Sequence, residues 1–90
     1  MTSCLRCVAS DMEAGCWLKV WYNSARSDEK QTATGKVRGV AAPLNGTLKV
    51  MFEREDGQLM EVDENDKLIS YNSAYPTTGY CFKYEVKPSE

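Results

Sequence analysis

The stretch TLKVMFEREDGQLMEVD, residues 47–63, decides the fold class. Thr47–Arg54 alternates, with Leu48, Val50 and Phe52 on one side and Lys49, Met51 and Glu53 on the other. That period of two belongs to a strand with one buried face. Asp56-Gly57 follows, a pair suited to the positive φ of a tight turn. Gln58–Asp63 returns with Met60 and Val62 on the inner side. The segment therefore predicts an antiparallel hairpin with an apolar inner face.

Similar units lie on both sides. Upstream, Cys16–Asn23 (CWLKVWYN) is rich in β-formers and predicts a strand with Leu18, Val20 and Tyr22 inward. Ser24–Lys30 reads as a polar loop, and Thr32–Ala42 as a second strand bent at Gly35 and Gly39. Pro43-Leu44-Asn45-Gly46 predicts a turn, with Asn-Gly supplying positive φ. Downstream, Asp66–Tyr71 is a short strand and Pro76–Gly79 a turn. Tyr80–Val86 then alternates, placing Tyr80, Phe82, Tyr84 and Val86 on one face and Cys81 on the other. Residues 3–14 carry Leu5, Val8 and Met12 at helical spacing, with Ser3 as the cap and Gly15 as the stop. Strands this short need closure, because open edges pair with other chains. The chain is thus expected to form a single domain, residues 1–90: a helix over 3–14, then a small SH3-like or Sm-like antiparallel barrel of five or six strands over 16–86.

Ninety residues bury only about 60–65% of their unfolded surface, which excludes a doubly wound enzyme or a deep enclosed site. There is no histidine, so the commonest general base and every Ser–His–Asp or Cys–His arrangement are missing. The composition favours a binding module over an enzyme. No apolar run approaches the ~18 residues of a membrane span. The N-terminus lacks the order of a secretory signal, so a cytoplasmic protein is expected.

Charge is segregated along the chain. Six basic residues (Lys19, Arg26, Lys30, Lys36, Arg38, Lys49) face two acids between positions 19 and 49. Seven acids (Glu53, Glu55, Asp56, Glu61, Asp63, Glu64, Asp66) face one arginine between 53 and 66. Opposite fields on different faces are expected, or simply two solvated faces of a barrel.

Several of these segments also resemble a known family. Thr34-Gly35-Lys36-Val37-Arg38-Gly39-Val40 is similar to the glycine-bent second strand of Sm-like proteins. Glu13-Ala14-Gly15-Cys16, Leu18–Tyr22, Leu48–Glu53 with Met60–Val62, and Asp66–Tyr71 resemble segments of the Rof-type modulators of Rho-dependent transcription termination. The resemblance spans roughly residues 10–73. The chain departs from it in the polar Ser24–Lys30 loop, in Cys4-x-x-Cys7 and in its aromatic C-terminus. The resemblance implies a regulator that docks on Rho, or on another RNA-binding protein, and competes with RNA.

Three sets of residues are candidates for a site. Acids Glu53, Glu55, Glu61, Asp63, Glu64 and Asp66 could present a phosphate-like surface to a protein that grips polynucleotide. Their bland reading is a soluble hairpin rim. Trp17, Lys19 and Trp21, with Lys36 and Arg38, could bind single-stranded nucleic acid directly by stacking and phosphate contact. Their bland reading is a first strand buried on both faces. Cys4, Cys7, Cys16 and Cys81 could form a zinc site, although only one knuckle-like pair is present; packed or free thiols are the plainer reading. No cofactor is otherwise implied, and the dense acids Glu61–Asp66 lack the ligand order of a calcium loop.

Overall fold

The computed structural model describes residues 4–44 and 46–89. Six strands follow a five-residue helix: α1 (Leu5–Ala9), β1 (Trp17–Ser24), β2 (Lys30–Ala41), β3 (Lys49–Arg54), β4 (Leu59–Asp63), β5 (Lys67–Ser70) and β6 (Thr77–Lys87). Each strand pairs antiparallel with the next, and β6 pairs back onto β1, closing the barrel. Among the described residues closure leaves no open sheet edge. No described helix is long and apolar enough to cross a membrane.

The hairpin of residues 47–63 is present in the expected register. Phe52 faces Met60 and Val50 faces Val62, all four buried. Gly57 adopts φ +85, the left-handed value the turn requires, and donates its N–H to the Arg54 carbonyl at 2.9 Å. The core inside the barrel gathers Leu18, Val20 and Tyr22 of β1, Ala33 and Val37 of β2, Val50 and Phe52 of β3, Met60 and Val62 of β4, Leu68 of β5, and Cys81 and Tyr84 of β6. Leu5, Met12, Cys16 and Leu48 plug it from outside the strands. Each fully buried aliphatic or phenyl group is worth about 1.5–3 kcal/mol against exposure.

Two expectations need correction. The helix covers Leu5–Ala9, not 3–14. After Ala9 the chain tightens into i→i−3 bonds, Asp11 N–H to Val8 O and Met12 N–H to Ala9 O, both 3.1 Å. This turn lets Met12 drop into the core, a placement that outweighs helix continuation. Cys4 caps the helix, its sulfur accepting from the Cys7 N–H; the Ser3 cap falls outside the described residues. Gly15 does adopt a left-handed φ of +98, but its N–H bonds to Val37 O and so joins the chain to β2 instead of ending a helix. Asn45, expected to supply positive φ, also lies outside the described residues.

The second correction concerns β6, which begins at Thr77, so Pro76–Gly79 is not the expected turn; the chain turns over residues 71–75 instead. Tyr80, Phe82, Tyr84 and Val86 do not share a face. The β1–β6 register steps from Trp21↔Lys83 to Tyr22↔Cys81, so Phe82 is the extra residue of a β-bulge. The bulge resets the alternation. Gly79, Cys81 and Tyr84 point inward and Tyr80 is exposed. A second bulge at Arg38, between Val37↔Phe52 and Gly39↔Met51, bends β2 around the barrel.

Candidate nucleic-acid interface

β1 is buried on one face only. Leu18, Val20 and Tyr22 are inside, whereas Trp17, Lys19 and Trp21 are partly exposed on the outer wall. The flanking strands complete that wall. Trp17 sits between Lys36 of β2 and Lys87 of β6, Lys19 between Thr34 and Glu85, and Trp21 between Thr32 and Lys83. Neighbouring strands lie ~4.8 Å apart, so these side chains are in lateral contact range.

Cations meet aromatic rings along this wall. The Lys36 ammonium lies 5.4 Å from the Trp17 ring centroid, Lys19 lies 4.8 Å from Trp21, and Lys30 lies 5.6 Å from Phe82. The bulge that spoiled the predicted alternation is what brings Phe82 to the surface beside Trp21. A cleft of about 480 Å³ lies beside Trp17, lined by Gly15, Lys36, Lys87, Pro88 and Ser89. A smaller one, about 210 Å³, joins Trp17 to Lys19, Thr34, Glu85 and Lys87. Glu85 stands on this wall, 3.9 Å from the Lys87 ammonium, and Glu53 and Glu55 border it through a cleft of about 140 Å³ shared with Trp17, Lys36, Arg38 and Arg54. From Trp17 to Trp21 the strand rises roughly 13 Å.

Of the expected basic set, Lys19, Lys30 and Lys36 reach this wall. Arg38 does not act freely there: its bulge turns it to Glu53, whose Oε1 accepts from Nε at 2.8 Å. Arg26 lies over Tyr75 in the loops, 4.0 Å from the ring centroid, and Lys49 belongs to β3. Lys83 and Lys87 were missed. Nothing in their own segment marks them; only pairing of β6 with β1 places them beside Trp21 and Trp17.

The acids concentrate around β4, three strands from β1 in either direction round the barrel. They are spread along it. Glu53, Glu55 and Asp56 sit at its hairpin end, Asp63, Glu64 and Asp66 at the other, and Glu61 between. Most are held by local bonds. Glu61 accepts from the Tyr71 hydroxyl at 2.8 Å, which raises the phenol pKa. Asp63 accepts from the N–H groups of Asn65 (2.9 Å) and Lys67 (3.1 Å). Glu64 accepts from Arg6 at 2.6 Å and from Leu48 N–H at 3.1 Å; the Arg6 bond, first, holds its carboxyl below the ordinary range. Asp66 accepts from the Tyr84 hydroxyl. Burial, aided by that bond, pushes the Tyr84 phenol far up. Asp56 receives Gln58 N–H at 3.0 Å, and Glu55 stands exposed in the turn.

The four cysteines do not assemble. Cys16 and Cys81 are buried in the barrel, whereas Cys4 and Cys7 share the outer turn of α1. Among the described residues no three Cys, Asp or Glu groups converge as a metal site would need. Burial pushes the Cys81 thiol up to about 12.

No family model, no curated protein and no solved structure matches the chain.

Proposed function

We propose that this barrel is a non-catalytic module that binds single-stranded nucleic acid along the outer face of β1. The observation that carries the reading is the coincidence of Trp17, Trp21 and Phe82, each with a lysine ammonium against its ring, on one wall flanked by Lys83 and Lys87. Bases stack on indole and phenyl faces regardless of sequence, and ammonium groups neutralise the phosphates between them. Thr32 and Thr34 add hydroxyls at the same level. Glu61, Asp63, Glu64 and Asp66 repel a polyanion from the opposite side, which orients it toward β1 without requiring a basic protein overall. A pI near 5.1 is therefore compatible with a local binding track.

The test is a titration of tryptophan fluorescence with an oligouridylate at several salt concentrations. Quenching is expected, with an affinity that falls with salt. Single strands lose roughly 0.7 in log–log slope per phosphate neutralised, so three contacts give a slope near −2. Absence of quenching and of salt-dependent binding refutes this reading.

A second reading rests on the acidic side. Glu53, Glu61 and Asp63 lie on the outer faces of adjoining β3 and β4, with Glu55, Glu64 and Asp66 at the ends. Such a face suits docking on a protein that itself holds RNA, as the Rof-type resemblance implies for Rho. It expects no RNA binding by the barrel. It also expects that Glu53→Lys, Glu61→Lys and Asp63→Lys together abolish inhibition of Rho-dependent termination.

A further inference from the structure

We propose that Cys4 and Cys7 are a redox-active dithiol that closes to an intramolecular disulfide by exchange with a small disulfide such as glutathione disulfide, Cys4 being the attacking thiol. The inference does not depend on what binds at β1. Cys4 has extended backbone (φ −118, ψ 115) and caps α1, and Cys7 lies one turn on. The Cys7 N–H points at the Cys4 sulfur at 3.2 Å. Side chains three apart on a turn lie roughly 5–6 Å apart at Cβ, and modest closure reaches disulfide geometry. Cys7 is exposed and Cys4 half-buried, so a small disulfide can reach both. The turn is held in place by Leu5 in the core and by Arg6 on Glu64.

The two sulfurs are not equivalent. The interaction between the two side chains lowers the Cys4 pKa and raises that of Cys7. The backbone N–H of Cys7 adds to the lowering at Cys4, and desolvation and, less strongly, Asp66 oppose it. Arg6 stands close enough to feel the Cys4 charge. Of the two thiols Cys4 therefore loses its proton more readily than Cys7, the order needed by a nucleophilic thiol and a resolving one. The Cys4 thiolate attacks one sulfur of glutathione disulfide and expels one glutathione thiolate, leaving a mixed disulfide. Cys7 then loses its proton to solvent and attacks the Cys4 sulfur, expelling the second glutathione. Two protein thiols are oxidised, one glutathione disulfide is reduced, and two glutathione thiols are released. Cys16 and Cys81, enclosed by the core, take no part.

The experiment incubates the reduced full chain in glutathione redox buffers, quenches with acid, alkylates and maps the products. Digestion with trypsin and a Glu-specific protease cuts after Arg6 and Glu13, so the expected disulfide joins the 1–6 peptide to the 7–13 peptide, clear of Cys16. In Cys7→Ser, which keeps a donor at position 7, a stable glutathione adduct on Cys4 is expected. It should form about tenfold faster than the adduct on Cys7 in Cys4→Ser. Lasting glutathione adducts on both wild-type thiols without a Cys4–Cys7 link overturn the proposal. So does disulfide formation only between copies of the chain. Faster capture of Cys7 overturns the assignment of Cys4 as the attacking thiol.

Discussion

Gly35→Ala and Gly39→Ala, four residues apart on β2, are expected to differ sharply in stability. A Cβ built on Gly35 would lie 2.5 Å from the Glu53 carbonyl oxygen, 2.7 Å from its carbon and 2.8 Å from Phe52 Cδ2. The first two are backbone atoms of β3, which cannot rotate away. Relief requires β2 and β3 to separate where Gly35 faces Arg54 and Lys36 faces Glu53. Overpacking of this kind costs about 1–3 kcal/mol, and each ladder bond lost adds about 1. The sum, roughly 2–4 kcal/mol, is a large part of the about 5–13 kcal/mol expected for a domain of this length. At about 4–8 °C per kcal/mol, Tm should fall by roughly 8–32 °C. A Cβ on Gly39 meets nothing within 4 Å, and its φ is one that alanine adopts. Gly39→Ala should be neutral, or stabilising by up to about 1 kcal/mol through loss of unfolded-state freedom. Thermal and urea unfolding of the two variants beside the wild type decide the matter. Equal midpoints for the pair refute the argument that β2 and β3 are pressed together at Gly35.

Three other outcomes follow from the contacts described above. Trp21→Ala should weaken oligouridylate binding between about 5-fold and 100-fold, the loss of one stacked base, while Tyr71→Ala across the barrel leaves it unchanged; equal losses would remove β1 as the binding face. Arg6→Gln should lower Tm near neutrality, with a gap that closes in acid. The Arg6 bond depresses the folded-state pKa of Glu64 below its ordinary 4.5, so that stabilisation is complete above 4.5 and disappears as pH falls through the folded value; a gap independent of pH contradicts this. Burial holds the Cys81 thiol at about 12, so iodoacetamide near pH 8 should modify it only as the barrel opens in denaturant, whereas Cys7 reacts in the native protein; matched native rates would show that Cys81 is not enclosed.

Strand alternation was legible wherever it ran unbroken. The inward set of β1, β3 and β4 follows directly from period-two spacing, because a one-residue slip there would put Val50 or Val62 in water. It failed at β6, where the bulge at Phe82 inverts the pattern midway. The bulge depends on accommodating the β1 register, which the residues of β6 alone do not encode. The helix was overread for a similar reason. Helical spacing of Leu5, Val8 and Met12 is real, and all three pack on the core, but Met12 does so from a turn. Trp17, Lys19 and Trp21 were found because they lie on one strand; Lys83 and Lys87 were not, because their relation to those residues is made by strand closure.

The residues in order were enough to specify a mainly β chain, its Asp56-Gly57 turn, the inner faces of its regular strands and the separation of basic from acidic segments, since all of these depend on neighbours a few positions apart. Barrel closure decided the rest. It carried β6 alongside β1, aligned Lys83 and Lys87 with Trp21 and Trp17, and set the acidic β4 on the far side of the barrel. It also distinguished Gly35, pressed against the β3 backbone, from Gly39, which faces open space. Contacts between residues some sixty positions apart exist only after the chain has folded back on itself, so no local pattern could have announced them.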